Sequence, residues 1–209
     1  MNPVSIVVWI LLIAIAGCVS IYRGYAGRRL EERLSGCLHA GDFEGYRDLL
    51  SSREGKRRYR RYLRDLKLLD GAISLGHFDE ARALCDTLDQ TPMTAKDYVQ
   101  YNMKALSLAV EAKDSVRGRR VVEALQRRGI RDSYAKEAEQ IVDIYLLHKS
   151  NHIDELLSFS NKVKNPASKA MAYYRIARQK YYLREEEDAR AFLEKACTVY
   201  EEPHWRELM

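Results

Sequence analysis

No side chain among the first twenty-two residues is charged, and the chain as a whole lacks the motifs of the common enzyme classes. It has no GxSxG nucleophile turn, no glycine-rich phosphate loop and no HExxH pair, and its eleven glycines stand singly. Four cysteines are present without a CxxC pair, which removes zinc-ribbon and dithiol redox chemistry. Cys37, Cys85 and Cys197 are widely spaced and are expected as small, buried, apolar residues. Prolines number only four, and no sustained period-two alternation marks a half-buried strand. His148 and His152 have the spacing of a metal pair, but a helix end is expected between them and no further ligand follows. No catalytic residue, metal or cofactor is therefore expected.

What is present begins with Val4–Tyr22, nineteen almost wholly apolar residues. At about 1.5 Å per residue the run nearly matches the ~30 Å hydrocarbon core of a bilayer, and it predicts a single transmembrane helix over 4–22. No Lys or Arg precedes it, whereas Arg23, Arg28, Arg29 and Arg33 follow. Basic flanks stay in the cytoplasm. The expectation is a single-pass protein of the cell membrane, with its N-terminus outside, a basic juxtamembrane linker at 23–29 and the remaining domain in the cytoplasm. Ile15-Ala16-Gly17-Cys18 resembles a bacterial lipobox, so an exported lipoprotein tethered at Cys18 is the alternative. The uncharged start and the apolar residues after Cys18 count against it.

Beyond the run, apolar residues recur at three and four, as in Tyr59, Tyr62, Leu63, Leu66, Leu69 and Ile73, which predicts an all-α domain. Leu68 to Arg82 suggests a helix ending at Gly76, Phe78 packing in the turn, and a second helix opened by Ala81. Leu84, Cys85 and Leu88 supply that helix's inner face, and Pro92 closes the unit. Tyr173, Ile176, Ala177, Ala189, Leu193 and Ala196 repeat the pattern before Pro203. Weaker copies put Tyr46, Gly118 and Leu156 where Ala81 stands. The points 46, 81, 118, 156 and 189 are 35, 37, 38 and 33 residues apart.

These residues and this period resemble the tetratricopeptide repeat family. The resemblance covers about residues 27–203 and implies a solenoid of about five helix pairs over 30–203, with a tail at 204–209. Tyr46 and Leu156 depart from the small residue at the crossing, so those pairs are expected to splay or pack differently.

Residues 23–67 hold thirteen Lys or Arg against seven Asp or Glu, more than the whole chain's net +5, so residues 68–209 carry −1. On one continuous helix over this stretch, Lys56, Arg57, Arg60, Arg61, Arg64 and Lys67 gather opposite the Tyr and Leu residues. With Arg23, Arg28 and Arg29 they are candidates for an anionic lipid surface. A solvated face is the plainer reading. Nucleic acid is not expected, because the tyrosines that would stack point to the core side.

Carried across by the resemblance, a groove lined by the first helix of each unit would bind a protein or peptide partner. Its candidate residues are Leu63, Asp70 and Ile73; Gln100 and Met103; Tyr145, His148 and Lys149; and Tyr174, Arg178, Tyr181 and Tyr182. The expected function is a membrane-anchored, non-enzymatic adaptor. The alternatives are a lipoprotein assisting envelope assembly and a peptide binder similar to mitochondrial import receptors.

Overall fold

The computed structural model describes residues 27–129 and 132–200, and every regular element in them is helical. A helix through 27–39 (α1) is followed by α2 (Phe43–Ser51), α3 (Arg53–Arg58), α4 (Arg61–Ser74) and α5 (Phe78–Asp89). After these come α6 (Ala95–Glu111), α7 (Ser115–Arg127), α8 (Asp132–Ile141), a π turn (Val142–Leu146), α9 (Ile153–Lys162), α10 (Pro166–Tyr182) and α11 (Glu186–Val199).

The helices are paired by one recurring turn. Gly41, Gly76, Lys113, His148 and Arg184 all adopt the left-handed conformation, with φ between 53° and 76°. Each stands where the first helix of a pair stops. After α4, Gly76 N–H donates to Ile73 O (3.2 Å) and His77 N–H to Ala72 O (2.8 Å), satisfying carbonyls that the helix leaves open. The same two bonds recur after α1, α6 and α10. After His148 the sealing bond from Lys149 N–H reaches Asp143 O (2.9 Å), one residue further back, because the π turn adds a residue. Asp42 and Asp114 cap the next helices by accepting from Gly45 and Arg117 N–H at 2.8 and 2.9 Å.

The described residues form two compact units, divided between Pro92 and Met93. In the first, Leu30, Leu34, Tyr46 and Leu50 pack together, and Ala81, Cys85 and Leu88 are buried on α5. In the second, Ile144, Leu156, Ala172 and Ile176 form one cluster, and Ala170, Tyr174, Ala177, Leu193 and Ala196 another. Gly118 allows close approach there: a Cβ would lie 2.6 Å from Leu146 Cδ1 and 3.2 Å from Val142 Cγ2.

The expected fold and placement need correction. The all-α class holds, but no described helix is long and apolar enough to cross a membrane. The longest, α6 and α10, have 17 residues each and include charged side chains, whereas a span needs about 20 predominantly apolar ones. The single-pass placement in the cell membrane, with a cytoplasmic domain, therefore has no described helix to carry it. The run at 4–22, Cys18, Arg23 and the tail at 204–209 lie outside the described residues.

The basic stripe also changes. Tyr59 (φ −117°, ψ 135°) and Arg60 (φ −62°, ψ 157°) are extended, so α3 and α4 are separate helices and the stripe is no single face. Burial would raise Glu31, but hydrogen bonds from Tyr59 and Lys67 outweigh it and hold its carboxyl below the usual range. Lys67 reaches Glu31 at 3.1 Å and lies over the Tyr59 ring, while Arg64 donates to Tyr59 O (3.4 Å). Lys56, Arg57, Arg60 and Arg61 remain exposed, as do Arg28 and Arg29 on α1.

Candidate functional site: the tyrosine–arginine groove

Asn165 caps α10 by accepting Ser168 N–H (3.1 Å), and Pro166 opens it, since proline's missing donor costs nothing in the first turn. Ala170, Ala172, Ile176 and Ala177 are buried along α10. Tyr174, Arg178, Tyr181 and Tyr182 follow each other at three- and four-residue spacing, which brings them onto neighbouring turns of one side.

Arg178 is the centre of this surface. Its Nε and Nη2 donate to Tyr182 Oη (3.2 and 3.1 Å) and its Nη1 to Tyr174 Oη (3.4 Å). The guanidinium also sits over the Tyr145 ring, 4.8 Å from its centroid. Burial disfavours the charge, but the bonds to Tyr182 and Tyr174 outweigh it and the pKa is raised. Arg178 is a half-buried cation held by phenols and rings, with no carboxylate in ion-pair reach among the described residues. His148 stacks on Tyr182 at 4.8 Å, and Tyr181 meets Tyr182 edge-on at 6.4 Å.

Between α10 and α11 these side chains wall a groove of about 480 Å³. Tyr174, Ala177, Arg178, Tyr181 and Tyr182 line it from α10, and Glu186, Ala189, Arg190 and Leu193 from α11. Tyr181 stays 60% exposed, so the groove is open to solvent. Lys180 pairs with Glu185 and with Asp188 (3.1 Å), which engages part of the acidic start of α11 away from the groove.

A polar clamp holds the 147–152 loop against α10. The Asp143 carboxylate, 8% exposed, accepts from Lys149 Nζ (2.8 Å), His152 Nε2 (3.0 Å) and Asn151 Nδ2 (3.5 Å). Burial raises its pKa, but these three bonds outweigh it and hold the carboxyl below its ordinary range. The fully buried Gln179 amide accepts His152 N–H (2.9 Å) and donates to Arg175 O (3.2 Å), and Ser150 Oγ donates to Gln179 O (3.2 Å).

The structure gathers part of the candidate set. Tyr145, His148, Tyr174, Arg178, Tyr181 and Tyr182 come together, and Lys149 is drawn to Asp143 beside them. Gln100 is exposed and Met103 half-buried on α6, outside this groove. Leu63, Asp70 and Ile73 belong to the other unit. Gln179 and Asp143 carried no sequence signal, since a glutamine inside a helix and an acid six residues before a lysine match no motif. His148 and His152 serve different partners, and among the described residues no three His, Cys, Asp or Glu side chains group as metal ligands.

Comparison with protein-family models, curated proteins and solved structures finds no match for this chain.

Proposed function

We propose that the chain is a non-enzymatic interaction module that binds a protein or peptide partner through the α10/α11 groove. The carrying observation is the open groove itself, with an apolar floor and walls of Tyr and Arg. Those residue types concentrate binding energy at interfaces, because rigid rings bury large area at little entropy cost and guanidinium groups add directed bonds. The turn that recurs between helices of the described residues supports reading the chain as tetratricopeptide-like, a family in which stacked pairs present binding surfaces.

The reading is tested with immobilised full-length chain, wild type beside Tyr181→Ala/Tyr182→Ala. Loss of a retained protein in the double variant, with helix content unchanged by circular dichroism, is the expected result. Retention that ignores the substitution, or no retention by wild type, counts against the groove.

A further inference from the structure

The α10/α11 pair repeats α6/α7 with a displacement of 71 residues. The helix caps Ala112 and Leu183, the left-handed Lys113 and Arg184, and the starts Ser115 and Glu186 all match at that interval. In this register Ala189 stands where Gly118 stands. The groove at Gly118 is filled: Val142 and Leu146, one helical turn apart, lie close against it. The groove at Ala189 is open, with Ala177, Ala189 and Leu193 as its apolar floor. Tyr181 on its wall is 60% exposed.

The charge says what kind of helix fits. Register places Ser107 of α6 where α10 has Arg178, so the cation is particular to this groove. Arg190 and Glu186 both line it and balance, which leaves the Arg178 charge in excess.

We propose that this groove seats an amphipathic helix of a partner protein, with two apolar side chains one turn apart on the floor and a carboxylate on Arg178. The inference rests on the interaction reading and adds the partner's chemistry to it. Helix-in-groove binding uses such i, i+4 anchors, and an acid on a half-buried guanidinium makes a charge-assisted bond.

The probe is a stapled helical peptide of roughly four turns carrying Val and Leu four apart, as in Val142 and Leu146, with Glu, Gln or Lys one turn on. Binding to the full-length chain is followed by fluorescence anisotropy. The Glu peptide is expected to bind at least about tenfold tighter than the Lys peptide, and Arg178→Glu to reverse that order. Equal affinity for the Glu and Lys peptides overturns the proposal. Because the peptide series needs no protein variant, it decides even where Arg178→Glu fails to fold. No binding of any peptide, while wild type still retains a partner in a Tyr181- and Tyr182-dependent way, overturns the helix proposal and leaves the interaction reading standing. Self-association of the chain that Arg178→Glu abolishes assigns the groove to a second copy, and tighter peptide binding after removal of residues 201–209 assigns it to the chain's own end. Either result also overturns the proposal.

Discussion

The Tyr46 ring fills a notch left by Gly71: a Cβ on Gly71 would lie 2.8 Å from Tyr46 Cε1 and 3.0 Å from Cδ1. The phenol is buried, and its hydroxyl donates to Lys67 O on the same helix as Gly71 (3.2 Å). The bulky residue on α2 is thus matched by a missing side chain on α4. Gly71→Ala should destabilise by about 1–3 kcal/mol through overpacking, although alanine is the better helix former by about 1 kcal/mol. Combining it with Tyr46→Leu should restore part of that loss. Urea denaturation of the two singles and the double measures the coupling, and a stabilising Gly71→Ala would sink the account.

Lys113 and Arg184 occupy left-handed positions that glycine adopts at no steric cost. No side-chain hydrogen bond accompanies either in the described structure, so Lys113→Gly and Arg184→Gly should each stabilise by about 0.5–1 kcal/mol. His148→Gly should show no such gain, because it forfeits the stacking on Tyr182. Thermal unfolding of the three variants separates them. A loss of stability in both Lys113→Gly and Arg184→Gly would contradict the strain argument.

Asp143 links stability to acid pH. Its folded pKa is depressed below the ordinary 3.8, so its contribution is fully present above the unfolded value and fades as pH falls through the folded one. Asp143→Asn should cost about 1–3 kcal/mol at neutral pH. The gap from wild type should stay level down to about pH 5 and narrow below about pH 4. Chemical denaturation at stepped pH tests this, and a gap that widens on acidification reverses the assigned sign.

Gln179→Leu keeps volume but strands the His152 N–H that the amide accepts. A buried donor without a partner costs about 1–3 kcal/mol. Hydrogen exchange should quicken first at His152 and its loop neighbours, ahead of α10 itself. Uniform loss of protection along α10 would show that the amide serves the helix and not the loop.

How much of this was legible follows from the range of each force. The helices, the stop at Gly76 and the Tyr174–Tyr182 face of α10 were visible in the sequence because they depend on spacing and turn chemistry within a few residues. The left-handed turns at Lys113, His148 and Arg184 were not, since these residue types do not announce that conformation and only the sealed helix end imposes it. The basic stripe misled for a related reason. Local periodicity runs through Tyr59 and Arg60, but Tyr59 turns to bond Glu31 on α1, and that long-range contact accompanies the break.

By itself, then, the sequence determined an all-α chain of helix pairs with a period near 35, and the residue types on one side of the last pair. Tertiary structure decided that Tyr46 meets Gly71, that His148 and Tyr145 join Arg178, and that the groove beside Ala189 stays open while the one beside Gly118 is filled. Backbone propensity and helical spacing act over one or two turns, and composition displays them. Which distant side chains then meet depends on how separate helices pack, and close packing is a property of the assembled volume and not of any local stretch.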